Sequence, residues 1–155
     1  MPDPKRPPKP DDALRLGAFL CFAVYSASHA FNRVYKPLLD ELGLTYPQYL
    51  VMVLLWEQDD QTVGSLGEKL FLESSTLTPL LKRLEASGHV KRTRDPVDER
   101  QVRVGLTDKG RAIRKNAREI PGCILEASNL KVDELLRLQS DIVALRSALE
   151  RYHRE

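Results

Sequence analysis

The spacing of the apolar residues predicts a mainly helical chain that opens with a long helix. In the N-terminal third, apolar side chains recur every three or four positions and so share one helical face: Leu16, Leu20, Ala23, Ala27, Phe31 and Val34. Asp11 or Asp12 is the expected N-cap, and we expect the helix to reach about Tyr35 and to end or bend at Pro37. A signal peptide with a cleavage site at residues 28–30 is the alternative, but the apolar spacing continues straight through that site.

Local sequence signals predict the helices that follow. Thr45 is the expected N-cap of an apolar helix that runs to about Trp56, with Pro47 in its first turn. Gly88 is expected to end a later helix by adopting a positive φ. After the first helix, the predicted helices cover about residues 45–57, 64–71, 75–86, 107–119 and 132–152.

Between two of these helices the apolar residues change to a period of two, which predicts a β-hairpin. Its strands are Val90–Arg94 and Gln101–Leu106, joined by a polar turn. Thr107 is expected to cap the next helix, and Pro121-Gly122 is expected to end or kink that helix. The predicted fold class is therefore mainly α with a small β-hairpin.

Length and composition fit a single domain with a packed core. The chain has 155 residues and a mass of 17.6 kDa, with 42% hydrophobic and 30% charged residues. Residues 1–10 contain five prolines and are expected to form a flexible Pro-rich arm ahead of a domain over residues 11–155. The apolar run Ala18–Tyr25 is much shorter than a membrane span, so we expect a cytoplasmic protein with no membrane partner.

The net charge of +2 hides a strongly basic segment. Residues 74–118 hold twelve Lys and Arg against five Asp and Glu, a balance of +7, which leaves −5 for the rest of the chain. Two short helices followed by a hairpin are the layout of a winged helix-turn-helix. A purely structural, solvated surface is the alternative, but the layout favours double-stranded DNA as the partner.

The predicted recognition helix, residues 75–86, divides into a buried stripe and an outward face. The stripe consists of Leu77, Leu80, Leu81 and Leu84. The outward face carries hydroxyl groups small enough to approach base edges and cations suited to phosphates: Ser74, Ser75, Thr78, Lys82 and Arg83. From the hairpin, Arg94 and Arg100 are expected to reach the DNA backbone or the minor groove.

Two segments around the hairpin, Asp98-Glu99-Arg100 and Leu106-Thr107-Asp108-Lys109-Gly110, resemble the wing-to-helix signature of the MarR family of bacterial transcriptional regulators. The order of elements from about residue 12 to 150 is similar as well. The resemblance implies that Asp98 holds the wing, that Arg100 enters the minor groove and that the target is a pseudo-palindromic operator. It also implies a homodimer, with N- and C-terminal dimerisation helices at about 11–45 and 107–155 and a DNA-binding lobe at about 46–106.

Cys21 lies in an apolar run and is either a buried small side chain or a reactive thiol. It is about nine residues past the expected N-cap and has no Lys or Arg one turn away, so any activation must come from hydrogen bonds. Tyr25 lies one helical turn further on, and the positions of Tyr35 and Tyr46 resemble those in the organic hydroperoxide resistance regulators, where two tyrosines hydrogen-bond the reactive cysteine. Because fourteen residues of helix span about 21 Å, the resemblance implies that Tyr35 and Tyr46 come from the partner subunit.

Cys123 follows the helix-breaking pair at 121–122 and is either incidental or mobile enough to react. The chain resembles the two-cysteine members of the same branch. That resemblance implies that an organic hydroperoxide, as effector, oxidises Cys21 to a sulfenic acid, with which Cys123 of the partner subunit condenses to form a disulfide. The disulfide is then expected to move the helices and release the operator.

Two other functions are open from the sequence. One is a regulator released by a non-covalent aromatic or phenolic ligand, with incidental cysteines. An enzyme, either a thiol peroxidase or a disulfide oxidoreductase, is disfavoured because the chain has no C-x-x-C pair and no thioredoxin-like alternation of strands and helices. Since His29, His89 and His153 are scattered, we expect neither a metal site nor a cofactor.

Overall fold

The computed structural model describes residues 13–152, and the predicted Pro-rich arm and the Asp11 and Asp12 caps lie outside them. A single 3-10 turn, Leu16–Ala18, precedes the first helix. The order of the remaining elements is α1 Leu20–Asp40, α2 Tyr46–Glu57, β1 Gln61–Thr62, α3 Val63–Leu70, α4 Ser74–Ala86, β2 Val90–Arg94, β3 Val102–Leu106, α5 Asp108–Ala112, α6 Arg114–Ala117, α7 Ile120–Ser128 and α8 Val132–Tyr152. The predicted fold class, mainly α with a β-hairpin, is confirmed.

The first helix begins later and ends later than the sequence predicts. Phe19 has extended backbone angles, so α1 starts at Leu20 rather than near residue 12. Pro37 lies within the helix, because its fixed φ is compatible with a helix and only one backbone hydrogen bond is lost. Gly43 adopts a φ of +66° and lets the Leu44 N–H donate back to the Leu39 carbonyl, which terminates this region.

A capping box starts α2, as the Thr45 signal predicts. The Gln48 N–H donates to Thr45 Oγ1, and the Thr45 N–H donates to Gln48 Oε1 at 2.9 Å. The helix then places Val51, Met52 and Leu55 in the core of the described part of the chain. Leucines from α1, α3 and α4 pack around these three side chains and join the helices to one core.

The hairpin belongs to a three-stranded antiparallel sheet in the order β1-β3-β2. Strands β2 and β3 pair with Val90 opposite Leu106, whereas β1 pairs with β3 through Gln61 opposite Val104. The sequence predicts only β2 and β3, because a two-residue strand is too short to show an alternation. Gly88 has a φ of +82° between α4 and β2, as predicted.

The region after the wing is more segmented than predicted. Instead of one helix to residue 119, two short helices, α5 and α6, precede α7, with Thr107 as the N-cap of α5. Pro121 and Gly122 lie in the first turn of α7, where a proline's missing N–H costs no hydrogen bond, so the pair begins a helix rather than breaking one. Helix α8 has the predicted bounds. Within residues 13–152, no helix is long and apolar enough to cross a membrane.

Candidate DNA interface and thiol site

Helix α4 has the two faces that the sequence predicts. Its buried stripe packs into the core and consists of Leu77, Leu80, Leu81 and Leu84. The opposite face is exposed at Ser74, Ser75, Lys82 and Arg83, and half-buried at Thr78. The hydroxyl-bearing N-terminal half of the helix is therefore open to solvent, followed by two cations.

A groove of about 600 Å³ separates the N-terminal part of α4 from the wing, the β2–β3 hairpin. Ser74 and Thr78 line it from the helix, and Arg100 lines it from the wing. Of the predicted DNA-contact residues, the groove thus brings together Arg100 and two hydroxyl groups from segments more than twenty residues apart, while Arg92 and the acid Glu68 also line it. Hydroxyl groups and a guanidinium on the rim of a concave surface are groups that can contact the backbone of nucleic acid.

Cations outside the groove extend the same basic surface. Lys82, Arg83 and Arg94 are exposed. Among the residues that the structure describes, none of the three is in an ion pair, so their charges are available to phosphates.

In the wing turn, Asp98 and Arg100 form an ion pair. Asp98 Oδ1 accepts from Arg100 Nε at 2.9 Å, and Oδ2 accepts from Nη2 at 3.2 Å. The hydrogen bonds from the Arg100 side chain and from its N–H hold the pKa of Asp98 below its usual value. The Arg100 side chain is nevertheless 90% exposed, so it is oriented without being buried.

A second acid–arginine pair, which was not predicted from the sequence, joins α4 to the wing. Glu85 Oε2 accepts from the Arg92 N–H at 2.8 Å, and Oε1 accepts from the Arg92 guanidinium at 3.0 Å. These hydrogen bonds lower the pKa of Glu85. The pair spans the turn between α4 and β2, and no short-range sequence pattern marks such a contact.

Cys21 is the second residue of α1 and is exposed, so the prediction that it lies about nine residues into a helix is wrong. Its backbone belongs to the first turn, where N–H groups have no intrahelical acceptor. The Tyr25 ring packs against His29, with centroids 4.4 Å apart, and against Phe22. Within residues 13–152, no side chain donates a hydrogen bond to the Cys21 sulfur.

Tyr35 and Tyr46 lie together in one protomer. Their ring centroids are 4.7 Å apart, and Tyr49 lies 5.9 Å from Tyr35. Burial raises the pKa of Tyr35 to about 12, with a smaller contribution from the neighbouring phenols, and burial also raises the pKa of Tyr46. Both phenols therefore stay protonated near neutral pH and can act as hydrogen-bond donors.

A cavity of about 520 Å³ opens beside this tyrosine pair. Apolar side chains of α1, α7 and α8 form most of its wall, and Tyr35 and Tyr46 supply phenol groups. Cys21 does not line it. Cys21 and Tyr35 are fourteen residues apart on one unbroken helix, about 21 Å, and do not meet within the protomer.

Cys123 is half-buried in the first turn of α7, on a helix rather than at a mobile bend. It lines a small cavity together with Leu38 and Leu42, near the C-terminal end of α1. Cys21 lies at the other end of that helix, seventeen residues or about 25 Å from Leu38. Because a disulfide needs Cα atoms within about 7 Å, the two cysteines of one protomer are too far apart to pair in this conformation.

The helix-turn-helix of α3 and α4, with the hairpin beside it, defines the winged-helix class of DNA-binding regulators. Residues 33–117 match the family described as transcriptional regulator SarA/Rot. The organic hydroperoxide resistance transcriptional regulator of Bacillus subtilis is 44% identical over 144 residues, which cover 93% of this chain and 96% of the relative. The chain belongs to the MarR family of transcriptional regulators.

Two further proteins, one similar in sequence and one similar in structure, agree with this family assignment. The HTH-type transcriptional regulator TtmR of Methylorubrum extorquens is 50% identical over 139 residues, which cover 90% of this chain and 71% of the relative. Reduced AbfR bound to DNA has a TM-score of 0.76 at 40% identity, over 89% of this chain and 94% of that chain. Disulfide-formed AbfR has a lower TM-score of 0.60 at 37% identity, over 94% and 97%. AbfR comes from Staphylococcus epidermidis.

Proposed function

We propose that the protein is a dimeric, peroxide-sensing repressor in which oxidation of Cys21 releases operator DNA. The observation that carries the proposal is an exposed thiol at the start of α1, together with two protonated phenols that lie about 21 Å away on the same protomer. Such a site is incomplete in one chain. Tyr35 and Tyr46 of the partner subunit complete it by donating hydrogen bonds to the Cys21 thiolate, which stabilises the charged form.

The exposed apolar residues support the dimer. Near the start of α1 and along α8, large apolar side chains face solvent: Leu20, Phe22, Leu136, Ile142 and Leu149. Helix α8 buries none of the residues that the structure describes within it, so its apolar face lacks a partner in a single chain. We assign these terminal helices, at about 11–45 and 107–155, to the dimer interface, and residues 46–106 to the DNA-binding lobe.

The proposed reaction has two steps. The Cys21 thiolate attacks the outer oxygen of an organic hydroperoxide, which breaks the O–O bond and leaves a sulfenic acid and an alcohol after proton transfer. Cys123 of the partner subunit then displaces water from the sulfenic acid to give an intersubunit disulfide. AbfR, which is 37–40% identical to this chain, has been solved both reduced on DNA and with a disulfide formed, and these two forms support such a cycle.

On the DNA, the proposal assigns the groove and the basic face to the operator. Ser74, Ser75 and Thr78 approach base edges, Lys82, Arg83 and Arg94 meet phosphates, and Arg100, held by Asp98, enters the minor groove. In a symmetric dimer the two recognition helices must match half-sites about 34–36 Å apart. A disulfide that shifts α1 and α7 of one subunit against the other changes this separation and lowers affinity.

Operator binding by the full-length protein tests the proposal. The probe is a duplex selected by the reduced protein from random DNA, titrated before and after one equivalent of cumene hydroperoxide and again after dithiothreitol. We expect affinity to fall on oxidation and to recover on reduction, whereas Cys21→Ser binds the duplex and does not respond. Unchanged affinity of the oxidised wild type refutes the sensor.

The role of Cys123 has a separate readout. Cys123→Ser should still lose its Cys21 thiol to peroxide by intact mass, but should give no disulfide-linked dimer on a non-reducing gel. A linked dimer in that variant excludes Cys123 as the resolving thiol. Sustained peroxide consumption with a thiol reductant would instead indicate a peroxidase.

A second function is favoured by the cavity of about 520 Å³ beside Tyr35 and Tyr46. Its apolar wall and phenol groups suit an aromatic or phenolic ligand bound without covalent chemistry. Release of the operator from Cys21→Ser protein by such compounds would favour this reading, with both cysteines incidental. Tyr46→Phe should then weaken the response to the ligand more than it weakens DNA binding.

A further inference from the structure

We propose that Asp95 and Arg103 are positioning residues for the wing: they fix the turn that aims Arg100 at DNA. The proposal rests on the DNA contact assigned above to Arg100. That arginine stands on an exposed turn whose one large apolar side chain, Val97, is 94% exposed. Apolar packing of that side chain therefore does not hold the turn, and its order must come from polar contacts.

Asp95 makes these contacts at the base of the turn. Its Oδ1 accepts from the Val97 N–H at 2.8 Å and from the Asp98 N–H at 3.0 Å, and its own N–H donates to the Gln101 carbonyl at 2.9 Å. These bonds close the turn on itself. The Asp95 side chain is only 11% exposed, in contrast to the side chains at the tip.

Arg103 connects Asp95 to the body of the lobe. Its Nη1 donates to Asp95 Oδ2 at 3.0 Å, while Nε donates to Asp60 Oδ1 at 2.9 Å and Nη2 donates to the Asp60 carbonyl at 2.7 Å. Asp60 lies between α2 and β1 and has a φ of +56°. The guanidinium thus ties the wing turn to a loop 43 residues earlier in the chain.

Hydrogen bonds connect five residues in series, and we call this set the wing relay: Asp60, Arg103, Asp95, Asp98 and Arg100. Asp95 sets the backbone of Asp98, and the Asp98 carboxylate then orients the Arg100 guanidinium. Without the Asp95 side chain, Asp98 and Arg100 can still pair, but the backbone of the turn that carries them is no longer fixed. Affinity falls because the turn must be ordered again when DNA binds.

The sign of the effect separates positioning from simple charge. Asp95 is an acid in a lobe that binds a polyanion, so removing its charge alone should tighten binding. The wing relay predicts the opposite. Glu99 is the matched control, because it is an exposed acid in the same turn whose side chain makes no hydrogen bond or ion pair within the described residues.

The experiment measures operator affinity of the reduced, full-length protein by fluorescence anisotropy for Asp95→Ala, Arg100→Ala, the double variant and Glu99→Gln. We expect Asp95→Ala to weaken binding about five- to tenfold, Glu99→Gln to bind as wild type or tighter, and the double variant to match Arg100→Ala. If Asp95→Ala fails to fold, Asp95→Asn replaces it, since its amide oxygen still accepts from the turn while the charge facing Arg103 is lost. Its loss of affinity should be smaller and should also vanish in the Arg100→Ala background.

Three results overturn the wing relay. Asp95→Ala or Asp95→Asn that binds as tightly as Glu99→Gln shows that the turn needs no anchor. A double variant whose loss of operator affinity equals the sum of the two single losses shows that Asp95 acts on folding rather than through Arg100. Wild-type affinity in Arg100→Ala itself refutes the DNA contact assigned to Arg100, and the relay with it; in the first two cases that contact stands.

Discussion

Replacing Gly110 by alanine should destabilise the protein, although alanine is normally the better helix former. Gly110 lies in the first turn of α5, in the motif that resembles the MarR signature. A Cβ there would lie well inside contact distance of the His89 carbonyl oxygen, 3.1 Å from the His89 carbonyl carbon and 3.3 Å from a Leu106 methyl group. Since the main obstacle is backbone, α5 must move away from the loop before β2.

That movement breaks hydrogen bonds on both sides of the contact. The His89 carbonyl accepts from the Thr107 N–H at 3.1 Å, Thr107 Oγ1 caps the Gly110 N–H at 3.0 Å, and the Gly110 carbonyl accepts from Trp56 Nε1 at 2.9 Å. Overpacking costs about 1–3 kcal/mol, and each lost hydrogen bond or cap adds about 1 kcal/mol. We therefore expect a loss of about 3–5 kcal/mol, a large part of a typical stability of about 5–15 kcal/mol.

Urea unfolding, followed by far-UV circular dichroism at one protomer concentration, measures this loss. The matched control is Gly122→Ala in α7, where a Cβ meets no atom within 4 Å and should stabilise by about 0.5–1 kcal/mol. Opposite signs for the two variants are the expected result. A Gly110→Ala protein that is as stable as wild type, or more stable, would show that helix propensity decides at this position and that the packing argument is wrong.

Three further predictions follow from single contacts. Glu85→Gln should weaken the link between α4 and the wing and lower the free energy of unfolding in urea by about 1 kcal/mol, a modest loss because the Glu85–Arg92 pair is partly exposed. An unchanged free energy of unfolding would show that the pair does not stabilise the fold. Burial, with the nearby Lys109 charge, lowers the pKa of His89, so the free energy of unfolding should fall as the pH drops below about 6.5. His89→Gln should therefore show a smaller change in urea midpoint between pH 7.5 and 5.5 than the wild type. An equal change in both proteins contradicts this. Because the pKa of Tyr35 is about 12, stability should fall as pH rises from about 10 towards 12, less so in Tyr35→Phe, and an equal fall in both proteins at pH 10.5 excludes Tyr35 as the cause.

Much of the fold follows from short-range sequence signals. Thr45 and Thr107 cap helices as predicted, Gly88 adopts the expected positive φ, and the leucine stripe of α4 is buried. Each signal acts within one or two turns of the chain, so its effect does not depend on contacts with distant segments. The predicted strand β2 has the observed bounds for the same reason.

The start of the first helix is one of the predictions that failed. The apolar period extends back to Leu16, but Leu16 and Leu20 are both exposed, at 57% and 62%, so burial does not decide where the helix begins. Gly17 lies between them and weakens a helix at this point, and Phe19 has extended backbone angles. Periodicity predicts which residues share a face and not where a helix starts, and the predicted position of Cys21 within α1 depended on that start.

Contacts between distant segments were not predictable either. The ion pairs of Arg103 with Asp60 and of Arg111 with Asp59 join residues 43 and 52 positions apart, and all four are ordinary surface residue types. Only the folded sheet brings them together. The residues predicted to contact DNA lie largely within one helix and one turn, whereas Asp60, which anchors that turn through Arg103, lies in another part of the chain.

In the proposed mechanism, helix α1 connects the thiol pair to DNA binding. It is 21 residues long, about 30 Å, with Cys21 at one end and the contact surface of Cys123 at the other. An intersubunit bond between these cysteines joins the beginning of one α1 to a helix that packs on the end of the partner's α1. The C-terminal end of α1 is fixed to the core through Leu39. In the proposed dimer, two such cysteines whose Cα atoms start more than about 7 Å apart can pair only if one subunit moves against the other, and that movement changes the separation of the recognition helices on fixed half-sites.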